Sequence, residues 1–181
     1  MWPIGHASVA YLCYTALCRQ RFEAGPTAIA AVLVGFGGIF PDLVDKPLSW
    51  SAGILPTGRS LSHSLLVIVP MVLAVYLVAG WYTDTEYGVA FGVGVFSHPL
   101  VDAVPVVWNS DASWEFLLWP IIAVTPYDDA PTLLGLLRSS LSDPYFIVEF
   151  LLLALAIAVW RADGYPGLSV LPGIEVGDQP T

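Results

Sequence analysis

Residues 65–82, 87–108 and 145–160 are apolar runs that approach the length a helix needs to cross a bilayer, and the middle run carries His98 and Asp102 where Leu or Val is expected. Hydrocarbon offers a polar group no water, so leaving one unsatisfied there costs a few kcal/mol or more. Such side chains must face the interior of a bundle and find partners in it. The chain is therefore read as all-α, a polytopic membrane helical bundle whose polar side chains turn inward.

Composition agrees. The 181 residues are 56% hydrophobic and only 12% charged, well outside the range of soluble domains. Fifteen acidic against six basic residues leave a net charge of -9, with no Lys/Arg cluster to neutralise phosphates, so nucleic-acid binding is not expected. A single Lys among so many acids is also the composition of halophilic proteins, whose acidic surfaces stay soluble in salt. Cys13 and Cys18 lie five apart in one apolar segment and are read as packing residues rather than a disulfide or metal pair.

About four to five spanning helices are expected, with short interfacial helices between them. Residues 7–18 form a first apolar segment, too short for a confident span and without the basic region or cleavage site of a signal peptide. Gly25-Pro26 separates it from residues 27–40, and Pro41 is expected to end or kink that second helix just before Asp42. An irregular loop follows, with Ser60 as the N-cap of a third helix running to about Tyr82. The fourth helix carries Gly88-x-x-x-Gly92 and Ala90-x-x-x-Gly94, a spacing of small residues that lets membrane helices approach closely. Residues 114–124 are too short to span and fit an interfacial or re-entrant piece, with Trp81, Trp114 and Trp119 as anchors. Leu133–Leu141 reads as a surface helix and residues 145–160 as a last span. Asp128 and Asp129 read as a solvated turn. There is no repeat or domain boundary, so residues 1–163 form one domain and 164–181 an acidic tail without fixed structure.

The chain has three histidines, His6, His63 and His98, each beside an apolar helix. His98 and Asp102 are spaced i,i+4 and share a helical face, and Asp42 and Asp45 share one if their turn is helical. Four helices alternating through a membrane bring His6, Asp42, Asp45, His63, His98 and Asp102 to the same side, whereas chance would put half on the other. Three imidazoles and three carboxylates form an N/O donor set suited to Zn first, and to Mn or Fe. Six donors exceed the needs of a single zinc, so one or two divalent ions are expected. Arg59 and Lys46 are close in sequence and could clamp an anion, Arg59 being equally an anchoring residue. Ser60, Ser62 and Ser64 are placed to orient ligands. Glu149 is an acid in the last helix with no partner apparent from the sequence.

The motifs "GH" at the N-terminus, "PDLVDKP", "GRSLSHSLL", "SHPLVDA" and "LLWP" recur in the order seen in membrane-bound metal-dependent hydrolases of the YdjM type, which residues 5–120 resemble. The resemblance implies a multi-pass protein of the inner, or cytoplasmic, membrane whose metal ligands are His6, Asp42, Asp45, His63, His98 and Asp102. More distantly, Trp2-x-x-Gly5-His6 and His98-x-x-x-Asp102 resemble zinc-dependent phospholipase C and its single-strand nuclease relatives, which cleave phosphoesters. Those enzymes carry further His ligands downstream, and no His follows His98 here.

The expected function is hydrolysis of a small-molecule or lipid-derived phosphoester by a metal-activated water. Arg59 would steady the anion, and Asp45 or Asp102 would accept the water's proton. Two alternatives stand beside it: an ion, proton or metal transporter, which should distribute polar groups along its spans, and a non-catalytic regulator stabilised by a metal. Arg19, Arg21 and Arg161 mark cytoplasmic ends by the positive-inside rule if Lys46, Arg59 and Arg138 are discounted, so the polar cluster should face outward. A cysteine at Ser51 is then expected to react with a membrane-impermeant maleimide from outside the cell. Labelling only from the cytoplasm would reverse the orientation.

Overall fold

The computed structural model describes residues 1–109, 112–126, 131–141 and 145–170, which are helical with no strand among them. The expected turn at Asp128 and Asp129, and the tail from residue 171, lie outside the described residues. Six α-helices follow in order: α1 Pro3–Phe22, α2 Ala28–Lys46, α3 Leu65–Tyr82, α4 Thr85–Ala103, α5 Leu133–Leu141 and α6 Tyr145–Ala162.

Local chemistry accounts for where they begin. Pro3 occupies the first turn of α1, where a missing N–H costs nothing. Thr27, Ser64 and Asp84 cap α2, α3 and α4, each side chain accepting a backbone N–H from the first turn. The cap of α3 is thus Ser64 and not Ser60, because residues 60–63 are drawn away into a separate set of hydrogen bonds. Pro41 also departs from expectation: α2 runs through it to Lys46 and continues as a π-helical turn, Pro47–Ser51. A proline inside a membrane helix is tolerated when neighbouring elements satisfy what it frees. The uninterrupted helix keeps Asp42 and Asp45 on one buried face.

Three segments are long and apolar enough to cross a membrane: Ala28–Ser51, Leu65–Tyr82 and Thr85–Val107; α5 and α6 make a fourth only if taken together as one broken span. Among the described residues the count is thus three or four, and four meets the expectation of about four to five. α1, which carries His6, Arg19 and Arg21, is not among them. α3 is apolar all round and buries fully only Ile68, leaving Val69, Leu73, Leu77 and Val78 outward, as suits a helix facing lipid.

α4 is the centre of the bundle, packed on α1, α2 and α3, with its most extensive contact to α2. Small residues set these distances. A Cβ on Gly94 would lie 2.8 Å from Gly38 N and 2.9 Å from Gly37 Cα, and one on Gly38 would meet Ala10 Cβ of α1 at 2.8 Å. Gly88 and Gly92 face α3 instead, against Tyr76 and Val72. Three helix backbones thus converge at Gly37, Gly38 and Gly94, four residues before Asp42 and His98 respectively for the last two.

The far end is fastened by polar contacts. Asp163 accepts from Tyr11 Oη and from Arg19, both at 2.7 Å, and Glu86 accepts from Tyr14 Oη at 3.2 Å and Thr27 Oγ1 at 3.0 Å. Residues 164–170 fold back rather than trailing away: Trp160 Nε1 donates to Pro166 O at 2.9 Å, and Gly167 seats against Val32. Cys18 is buried and Cys13 exposed, both as free thiols.

Gly94→Ala is expected to push α2 and α4 apart and lower stability by about 1–3 kcal/mol. Gly35→Ala, whose added methyl meets nothing within 4 Å, serves as the neutral or slightly stabilising control. Thermal unfolding of the two variants in detergent measures the difference.

Candidate metal centre

The glycine crossing determines how His98 points. With the α2 backbone so near, His98 Nδ1–H donates to Gly38 O at 2.6 Å. A carbonyl only accepts, so Nδ1 carries a proton and Nε2 is the ring nitrogen turned to the cluster. His63 is oriented in the same sense by a different partner: its Nδ1–H donates to Asp45 Oδ2 at 2.8 Å. Burial holds the His63 imidazole below its ordinary pKa, against the opposing pull of Asp45, so its Nε2 carries a lone pair at neutral pH.

The two Nε2 atoms face each other 3.1 Å apart, and both residues are fully buried. Two lone pairs repel at that distance unless a cation lies between them. Ligands about 2.0–2.1 Å from one zinc ion stand roughly 2.9–3.4 Å from each other, depending on the angle at the metal. Asp42 Oδ1 completes the set, 3.5 Å from His98 Nε2 and 3.7 Å from His63 Nε2. These three donors can hold a metal ion. Asp102 Oδ2 stands alongside, 3.7 Å from His63 Nε2 and 4.0 Å from His98 Nε2.

His6, His98 and Asp102 form a second possible grouping. The His6 ring stacks on His98 with centroids 3.6 Å apart, and His6 Nε2 lies 3.3 Å from Asp102 Oδ1. Neither ring nitrogen of this buried residue has a well-formed hydrogen bond among the described residues. The two groupings share His98, and without it His6 and Asp102 fall short of the three protein ligands usual at a catalytic zinc.

All six histidine and aspartate positions thus lie together, but Asp45 stands one layer back. Its oxygens accept from Ser60 N at 2.9 Å, Ser62 N at 2.8 Å and His63 Nδ1. It fastens the 60–63 loop to α2 and aims His63, the usual task of a carboxylate behind a metal-binding imidazole. The serines act otherwise than their hydroxyls implied: Ser60 and Ser62 contribute backbone N–H groups, while Ser64 Oγ donates to Trp119 O at 2.6 Å. That last bond draws the 3₁₀ turn Glu115–Leu118 over the cluster and sets Phe116 edge-on to His63, with ring centroids 6.1 Å apart.

Two cations flank the cluster. Arg59 Nε donates to Asp102 Oδ2 at 2.6 Å, and Lys46 Nζ to Asp42 Oδ2 at 2.5 Å. Glu149 finds a partner that sequence did not offer: it accepts from Trp2 N at 2.9 Å, while Trp2 Nε1 donates to Ser140 Oγ at 2.8 Å. Trp2 thereby anchors α5 and α6 to the turn that carries His6. Gly38 is the other participant the sequence reading missed. The Gly37-Gly38 pair, one turn before Asp42 on the same helix, was its available signal.

The chain matches the family model of the YdjM inner membrane protein over residues 1–165 and belongs to that family. No curated protein and no solved structure matches it significantly.

Asp45→Ala removes the acceptor of three buried donors, each worth about 1–3 kcal/mol when left unsatisfied. It is expected to lower thermal stability in detergent more than Asp42→Ala, whose main partner is the half-buried Lys46. Equal losses would place Asp45 among the direct ligands instead.

Proposed function

We propose that this YdjM-family protein is a membrane-bound hydrolase acting on phosphoesters, with one divalent ion held by His63 Nε2, His98 Nε2 and Asp42 Oδ1. The observation that carries this reading is the pair of buried Nε2 atoms 3.1 Å apart with a carboxylate beside them. Zinc suits the N/O donors best, and manganese or iron would also accept them. Three protein ligands leave a position open, as catalytic sites do and structural zinc sites do not. A divalent ion there supplies Lewis acidity to water and to a phosphoryl oxygen.

The chain's own residues do the rest. With an ion bound, Asp102, whose Oδ2 lies 3.7 Å from His63 Nε2, would be placed to accept a proton from an entering water, with His6 Nε2 3.3 Å from its Oδ1. Arg59, exposed over nearly half its side chain while its Nε engages Asp102, reaches outward to steady a substrate anion. Asp45 keeps His63 in the tautomer that coordinates, and Gly38 does so for His98. Phe116 screens the His63 side from water. The apolar helices set this site in a bilayer, which makes lipid phosphoesters as accessible as small soluble ones. A transporter is less well supported, because α3 contains no Asp, Glu, Lys, Arg or His and the cluster is confined to one end of the bundle.

The test is elemental mass spectrometry of detergent-purified protein beside a His63→Ala, His98→Ala double variant. About one equivalent of a transition metal is expected, lost in the variant. Metal-loaded protein should then hydrolyse a chromogenic phosphodiester or a phospholipid, and Asp102→Asn should slow the reaction roughly 10²- to 10⁴-fold while retaining metal. Protein that takes up no zinc or manganese on reconstitution would sink the reading.

A further inference from the structure

We propose that Lys46, Arg59 and Trp50 form an oxyanion-binding site that is competent only once the metal position is filled. This rests on the metal reading above and goes beyond it by assigning an order, cation first and anion second. Each flanking cation is paired with a carboxylate that also faces the histidines: Lys46 with Asp42 Oδ2, Arg59 with Asp102 Oδ2. Asp42, Asp45 and Asp102 against Lys46, Arg59 and the Met1 ammonium, 3.4 Å from Asp102 Oδ1, leave the cluster without net charge. An anion approaching it meets no net attraction, and the cations are occupied in balancing carboxylates.

A divalent ion gives the cluster two positive charges. It draws the lone pairs of Asp42 toward itself, which loosens that carboxylate's hold on Lys46. The ammonium has somewhere to go. Lys46 Nζ already lies 5.5 Å from the centroid of the Trp50 ring, within range of a cation–π contact. Trp50 Nε1 is itself buried without a hydrogen-bond partner among the described residues, an unmet donor of the kind that a ligand oxygen satisfies. Gly58 permits this arrangement: a Cβ there would lie 3.0 Å from Trp50 Nε1 and 3.3 Å from Lys46 Cγ. Lys46 and Arg59, each bonded to a carboxylate beside the histidines, and the Trp50 indole next to Lys46 offer donors that suit a phosphate-type oxyanion.

The experiment is calorimetric titration of full-length protein in detergent with inorganic phosphate, before and after loading with zinc, the zinc affinity being measured separately by chelator competition. Phosphate is expected to bind only the zinc-loaded protein. Lys46→Met and Trp50→Phe should each weaken phosphate binding roughly tenfold, leaving zinc affinity unchanged or, for Lys46→Met, a few-fold tighter because a competing cation is gone. Lys46→Arg, which restores the charge, should recover most of the phosphate affinity. A second titration with short-chain phosphatidylglycerol separates headgroup from free anion: both should require zinc, and the tighter binder identifies the source. Equal phosphate binding with and without zinc would overturn the inference while leaving the metal reading intact, as would a Lys46→Met protein that loses zinc rather than phosphate. Absence of zinc binding in the wild type would overturn both.

Discussion

The hydrogen bond from His98 Nδ1 to Gly38 O is the interaction on which the site depends. It exists because α2 and α4 cross at glycines, with no Cβ between the backbones. It fixes the tautomer of His98, and through it the direction of the one lone pair that any ion in this cluster must use. The same crossing brings α1 against Gly38, so that His6 stacks on the opposite face of the His98 ring. A membrane bundle has no hydrophobic force drawing its helices together, and close contact among small residues takes that role. Here the packing that holds the helices is also what aims the chemistry.

Much of this was legible from residue types alone, because an ionisable group in an apolar run is too costly to be incidental. That is why His6, Asp42, Asp45, His63, His98 and Asp102 could be gathered from sequence and lie together in the fold. Their division of labour was not legible. Asp42 and Asp45 are chemically identical and share a helical face, and what separates them is the backbone of residues 60–63, whose N–H groups engage Asp45. Loop geometry of that kind has no periodicity to read. The same loop displaced the predicted cap from Ser60 to Ser64. Pro41 misled in the other direction: its local preference to end a helix was overridden where α2 packs on α1 and α4 and buries it.

Which helices span was legible only in part, for a related reason. Apolar length marks a buried helix as readily as a lipid-facing one. α1 is buried along one side against α2 and α4 and carries polar groups at both ends, so its apolar residues describe a bundle interior. α3 is the reverse, apolar without being buried. Only contacts distinguish the two, and the sequence shows composition before it shows contacts.

Charge balance bears on whether a metal here would be structural or catalytic. A structural zinc commonly supplies the folding energy of its site, and its ligands stay apart without it. In this cluster each carboxylate already has a partner: Lys46 for Asp42, Arg59 for Asp102, and two backbone N–H groups with His63 for Asp45. His63 and His98 are each oriented through Nδ1, by Asp45 and by Gly38 O. The donor set is therefore assembled by the protein's own interactions, and an ion entering it would organise little that is not already organised. What an ion would change is the net charge of the cluster, and that change matters chiefly to a molecule arriving from outside. A site preassembled in this way, with the exposed Arg59 beside it, accords better with the proposed chemistry on a bound anion than with a role in holding the bundle together.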